Sequence, residues 1–265
     1  MEDHIKSDVT DGVGTILFNR PEALNALSPR MVEGLNDFTM AFEHDPAVRC
    51  VVIRATGETF MAGGDVKGFH QALTERRFEH AASMEQRVVT GHLAIHRLRR
   101  MKKPVLVAVQ GAAAGFGLSM VCAADLAIAA DDAFFSLAYR HVGLTADGGA
   151  SYFLPRIVGE RRALEISLLG ERFSAAKALE WGLLNWTVPR AALEEETMKV
   201  ARKLADGPTK ALGLAKELFR TSLQSTWDEQ SAREAEYLSV IAASDDHLEG
   251  VTAFVEKRKA RFTGR

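Results

Sequence analysis

Two short runs, RCVVIRA at 49–55 and PVLVAV at 104–109, constrain this chain more than any other feature. Neither alternates apolar with polar residues, which is the pattern of a strand covered on both faces. Each leaves directly into small residues, TGETFMAGGDVKGF at 56–69 and QGAAAGFG at 110–117, and helical sequence follows. The order buried strand, glycine turn, helix therefore occurs twice, and it calls for an α/β core.

The surrounding segments fit that core. GVGTILFNR (12–20) reads as a strand ended by Pro21. Ser28 and Pro29 supply an N-cap and a first-turn proline, and Met31, Leu35, Phe38 and Phe42 follow at helical spacing, so the pattern predicts a helix over 29–44. A long helix is expected over about 74–101, a shorter one at LSMVCAA, and strands at 125–130 and 133–137. Beyond them the pattern is helical, broken by one strand at LLNWTV (183–188). The expected organisation is a core over 1–190 and a helical region over 191–265. The apolar faces of that region exceed what one core needs, which points to oligomerisation.

Composition excludes several functions. With 33 Lys+Arg against 35 Asp+Glu, a net charge of -2, the chain has no basic footprint for nucleic acid. No apolar stretch reaches the length of a membrane span. The opening MEDHIKSDVTDGVG is acidic and lacks a signal-type apolar run, so a cytoplasmic protein is expected. Cys50 and Cys122, the two cysteines, lie in apolar runs and read as buried thiols.

The two glycine turns leave backbone N–H groups unpaired where a helix begins, a place that favours negative charge. One such site suits a phosphate or carboxylate; two facing sites suit a single oxygen on which charge develops. Tight turns with no ligand would read the same way. A dinucleotide fingerprint is not met, because GFGLSM lacks the third glycine, and no GxxxxGK[ST] occurs. His92 and His96 share a helix face, but Leu93 stands where HExxH has its glutamate, and no metal is expected. Either imidazole remains a candidate base. Ser119 has no nucleophile-elbow sequence around it and reads as a core helix residue. Asp147 is a lone acid among Ala146, Gly148, Gly149 and Ala150. It either N-caps the helix running through Ser151 and Leu154, or it is a buried carboxylate whose raised proton affinity suits acid/base work near neutrality.

Six blocks, in order, resemble the crotonase superfamily of enoyl-CoA hydratases and isomerases. They are NRPEALNALS (19–28), TFMAGGDVKG (59–68), KPVLVAVQGAAAGFGLSMVCAADLAIA (103–129), GLTADGGASYFLPRIVG (143–159), SAAKALEWGLLNWTV (174–188) and EGVTAFVEKRKARF (249–262). The resemblance implies a crotonase (ClpP-like) fold of repeated ββα units, with C-terminal helices joining a homotrimer or hexamer. It implies an acyl-CoA thioester substrate and no further cofactor, coenzyme A entering as part of the substrate. The N–H groups of Gly64 and Phe116 would form an oxyanion hole. Ala23, Leu24, Ala62, Asp65, Val66 and Lys67 match positions lining the coenzyme A and thioester pocket. Phe254 and Lys257 match residues that reach the coenzyme A of a neighbouring subunit.

The chain also departs from the family pattern. The two glutamates that activate water in the hydratases fall at Ser119 and Tyr139, and neither is a carboxylate. Adding water without that pair is disfavoured. Asp147 matches the catalytic aspartate of the ring-epoxide and double-bond acyl-CoA isomerases, so isomerisation with Asp147 as acid/base is the expectation. The aspartate nucleophile of the 4-chlorobenzoyl-CoA dehalogenases also matches Asp147, with their histidine base at His92 and their tryptophan at Tyr139. Dehalogenation is thus the alternative chemistry, and a catalytically weak, hydratase-like acyl-CoA binder is a third reading.

Overall fold

A computed structural model describes residues 3–264. Its first two strands, β1 (Ile5–Thr10) and β2 (Val13–Phe18), form a hairpin across Asp11 and Gly12, whose φ angles are 51° and 79°. Positive φ at both loop residues is the turn that matches strand twist, and Asp-Gly is its sequence signal. β1 lies outside the strand expected at 12–20, because IKSDVT exposes every residue but Ile5 and has no apolar alternation. It is an edge strand recruited by backbone pairing to β2.

Helix α1 (Pro29–His44) has the expected bounds, and the Ser28 hydroxyl accepts the Met31 N–H at 3.3 Å. β3 (Cys50–Ala55) leads into α2 (Val66–Arg100), which starts eight residues before the expected 74. The early start is set by Asp65, whose carboxylate accepts the Gly68 N–H at 3.1 Å. Helical geometry breaks once inside α2, at Arg76. Then come β4 (Val105–Val109), β5 (Ala112–Ala114), α3 (Phe116–Ala123), β6 (Leu126–Ala130) and β7 (Phe134–Ser136). β5 falls in a stretch read as a turn, since AAA carries no strand signal of its own.

The second half comprises α4 (Ala150–Val158), α5 (Glu160–Leu169), β8 (Phe173–Ser174), α6 (Ala175–Glu180) and β9 (Trp186–Val188), followed by α7 (Leu193–Ala205), α8 (Thr209–Ser222), α9 (Trp227–Ala242) and α10 (Asp245–Val255). Six strands make the main sheet in the order β1-β2-β3-β4-β6-β9, antiparallel at β1/β2 and parallel elsewhere. A smaller sheet, β5-β7-β8, stands beside it. β3 and β4 are the buried centre, with Cys50 to Ile53 and Val105 to Val109 closed to solvent, as their unbroken apolar runs require. Burial pushes the thiols of Cys50 and Cys122 up to about 12.

Two side chains tie distant segments to this centre. Lys216 of α8 pairs with Asp125 at 2.7 Å and donates to the Leu98 carbonyl at 2.7 Å. α7 lies over the sheet, burying Leu193, Thr197, Ala201 and Ala205. α9, in contrast, buries none of its residues, and Trp227 and Leu238 are each 73% exposed. Among the described residues no helix is long and apolar enough to cross a membrane.

Asn25 braces the loop beneath the first glycine turn. It is fully buried, at φ 53°, accepts the Arg20 N–H at 2.7 Å, and donates to the carbonyls of Thr56 at 2.9 Å and Thr59 at 2.7 Å. Asn25→Ala strands all three backbone groups and should cost about 3 kcal/mol of stability. Urea unfolding checks this, with the midpoint expected to fall at an unchanged slope.

Candidate active site

The two glycine turns meet because their strands leave the sheet side by side. The segment after β3 runs along β5: Phe60 N–H donates to Gln110 at 2.8 Å, Met61 N–H to Ala112 at 3.0 Å, and Ala114 N–H to the Met61 carbonyl at 2.8 Å. This pairing ends with Gly63 against Gly115. A Cβ on Gly115 would stand 3.3 Å from Gly63 Cα, and one on Gly63 would stand 3.2 Å from the Ala114 carbonyl; both residues have positive φ. Larger residues would push the turns apart.

Just past this contact lie Gly64 and Phe116. The Phe116 N–H heads α3, where no earlier carbonyl is in reach. Among the described residues neither this N–H nor that of Gly64 has a hydrogen-bond partner. Both residues line one cavity of about 310 Å³. Two unpaired donors at one apolar cavity are what an oxygen gaining negative charge requires.

Asp147 lines the same cavity. It does not cap α4: that helix begins at Ala150 with Gly149 as its N-cap and no side-chain cap. The carboxylate instead accepts the Tyr139 hydroxyl through Oδ1. Burial raises the proton affinity of Asp147, and the Tyr139 hydrogen bond partly opposes that rise by stabilising the ionised form. Tyr139 is itself pushed well above the usual phenol range by burial and by Asp147. Ser119, fully buried, donates to the Asp147 carbonyl at 2.8 Å and stands 3.4 Å from the Tyr139 hydroxyl. The two positions that the resemblance matches to the hydratase glutamates thus carry hydroxyls, both packed against Asp147.

The remaining expected site residues divide. Ala62 and Val66 line the cavity. Asp65 faces Arg20, at 2.9 Å, and its carboxyl is held below the usual range first by the Gly68 N–H and then by Arg20. Ala23, Leu24 and Lys67 lie outside the cavity wall, although the Leu24 carbonyl accepts the Ala62 N–H at 3.0 Å and so joins their two loops. Phe254, 85% exposed, and Lys257 stand at the end of α10, away from the cavity of their own chain. His92 is not in the cavity wall either: its Nε2 accepts the Gly148 N–H at 3.0 Å, and its ring faces a second cavity with Arg99, Tyr152 and Arg156. Among the described residues no three metal-ligating side chains converge.

Sequence reasoning missed most of the walls of this cavity, which include Leu27, Val32, Phe69, Met84, Val88 and Leu144. Val66 with Phe69, and Met84 with Val88, have helical spacing, but only the fold shows that this face of α2 is not core.

Residues 8–265 match the enoyl-CoA hydratase/isomerase family. The chain is 36% identical to 1,2-epoxyphenylacetyl-CoA isomerase of Escherichia coli (strain K12), over all of both chains. It is 35% identical to 4-chlorobenzoyl coenzyme A dehalogenase-2 of an Arthrobacter species, covering 91% of this chain and 85% of the relative. A Mycobacterium abscessus protein whose crystal structure is assigned to enoyl-CoA hydratase/isomerase superposes with a TM-score of 0.94 at 35% identity, over 98% of this chain and 100% of that one. The mixed α/β architecture is accordingly the crotonase fold, and the chain belongs to the enoyl-CoA hydratase/isomerase family.

Proposed function

We propose that this protein isomerises an acyl-CoA thioester through an enolate, with Asp147 as the single acid/base. One observation carries the reading: a half-buried carboxylate of raised proton affinity faces the same cavity as two unpaired N–H groups. With the thioester carbonyl at the Gly64 and Phe116 N–H groups, Asp147 takes a proton from the acyl chain. The electron pair of that C–H bond passes toward the carbonyl oxygen, where both donors bind more tightly as charge develops. Protonated Asp147 then returns the proton at another carbon, and the double bond has moved. The same arrangement serves a strained ring in place of a double bond, the substrate type named in the Escherichia coli relative. Coenzyme A enters only as part of the substrate.

Hydration is disfavoured because Ser119 and Tyr139 offer no carboxylate pair to activate water. Dehalogenation, named in the Arthrobacter relative, would need His92 as a base for hydrolysing an aryl ester on Asp147. The hydrogen bond from Gly148 to His92 Nε2 counts against that role. The exposed apolar residues of α8 to α10, among them Phe219, Trp227, Leu238 and Phe254, support association with further copies of the chain. The family resemblance favours a trimer or hexamer in which Phe254 and Lys257 serve a neighbour's coenzyme A. Light scattering at micromolar concentration should give a trimer or a multiple of it; a stable monomer would contradict this.

Asp147→Asn keeps the shape and still accepts from Tyr139, but it cannot take a proton. Turnover of an unbranched 3-enoyl-CoA should fall by at least about 100-fold, with melting temperature nearly unchanged. Mass spectrometry should show solvent deuterium entering the substrate in the parent protein. Full activity in Asp147→Asn would overturn the assignment, and a covalent adduct on Asp147 after incubation with 4-chlorobenzoyl-CoA would favour the dehalogenase.

The pH dependence follows from the same burial. The base must be ionised, so kcat/KM should fall as pH drops through a value above the ordinary carboxylate range. Tyr139→Phe removes a hydrogen bond that favours the ionised form, so this acidic limb should move to higher pH. A limb that stays in place, or moves down, would contradict the role given to Tyr139.

A further inference from the structure

We infer that His92 is a positioning residue that acts through the backbone, holding the peptide that aims Asp147 rather than touching substrate. The inference rests on the role proposed for Asp147, and it begins from one peptide unit. The carbonyl of Asp147 and the N–H of Gly148 belong to the same rigid plane. Ser119 of α3 donates to that carbonyl at 2.8 Å, and His92 of α2 accepts that N–H at 3.0 Å. Two helices therefore grip one plane at both of its polar ends, which fixes the backbone torsion beside the Asp147 side chain.

The turn has little other freedom. Gly148 is buried at φ 61°, and a Cβ there would stand 2.6 Å from Ser119 Cβ and 3.1 Å from the Phe116 ring. The peptide is thus wedged against the helix that also supplies the Phe116 N–H. With its N–H held by His92 and its carbonyl by Ser119, the plane keeps the acid and the oxyanion donors in one frame. A displacement of about 1 Å between such groups is enough to cost rate heavily.

The chemistry of the imidazole agrees with this role. To accept the Gly148 N–H, Nε2 must carry a lone pair, so this role requires the tautomer with the proton on Nδ1. That lone pair is engaged by a buried amide. The ring lines the second cavity, of about 570 Å³, and not the wall that Asp147, Gly64 and Phe116 share. A base acting on substrate would need the opposite placement.

The test compares His92→Leu, which removes the acceptor, with His92→Gln, whose amide oxygen restores one. On an unbranched 3-enoyl-CoA, His92→Leu should lower kcat about tenfold or more while KM stays within about twofold, and His92→Gln should recover most of the loss. Long-range 1H–15N correlation on the parent protein with 15N-labelled histidine should show Nε2 unprotonated and Nδ1 protonated. The Gly148 amide should lose exchange protection in His92→Leu and keep it in His92→Gln. A protonated Nε2 in the parent, unchanged turnover in His92→Leu, or a His92→Gln as impaired as His92→Leu would each overturn the inference. The NMR readouts need no turnover. If Asp147→Asn remains active while they come out as expected, the assignment of the base has failed and the His92 hydrogen bond stands.

Discussion

The approach of two backbone turns, Gly63 against Gly115, is the constraint on which the rest of this structure depends. A Cβ on either glycine would stand 3.2 to 3.3 Å from the other turn, and both residues hold positive φ, so a side chain at either would strain the approach. It is maintained from below by paired backbone hydrogen bonds between 60–61 and 110–114. From the side it is braced by the loop that Asn25 holds, where Leu27 N–H donates to the Gly63 carbonyl at 2.8 Å. Beneath that lie the two apolar strands, fixed as parallel neighbours by Ile53 opposite Val107. The site is therefore a consequence of sheet order: two adjacent parallel strands must end together for their exit turns to meet.

Against this frame the chemistry is set by where the acid stands. Two hydroxyls, those of Ser119 and Tyr139, pack about one acidic residue, Asp147, and of the three Tyr139 and Asp147 line the cavity. The hydroxyls serve the carboxylate, one through its side chain and the other through its peptide carbonyl. Burial favours the protonated form and the Tyr139 hydrogen bond favours the ionised one. The net effect is a carboxyl whose proton affinity stays above the ordinary carboxylate range, the direction that acid/base work requires.

Much of the fold was legible because some segments carry their own signal. α1 announced itself through Ser28, Pro29 and a helical apolar stripe, and β3 and β4 through unbroken apolar runs. β1 was illegible by apolar pattern, because an exposed edge strand buries almost nothing; only the Asp11-Gly12 turn hinted at it. β5 and the first turns of α2 depend on partners far away in sequence. AAA becomes a strand by pairing with β7, and the start of α2 is set by the Asp65 carboxylate.

The same division runs through the site. Sequence alone determined that there are two strand–glycine–helix units and that Asp147 is an acid without a nearby cation, because these are facts of local composition and order; that Ser119 and Tyr139 stand where the hydratases carry glutamates came from the family resemblance. Tertiary structure alone decided that the two turns face one cavity, that Asp147 bonds Tyr139 and leaves α4 uncapped by its side chain, and that His92 stands behind the Asp147–Gly148 peptide rather than in the wall of that cavity. The physical reason is direction. A one-dimensional pattern shows which residues are apolar, small or ionisable, but which way a backbone N–H or an imidazole points is set by packing between segments 28 to 56 residues apart.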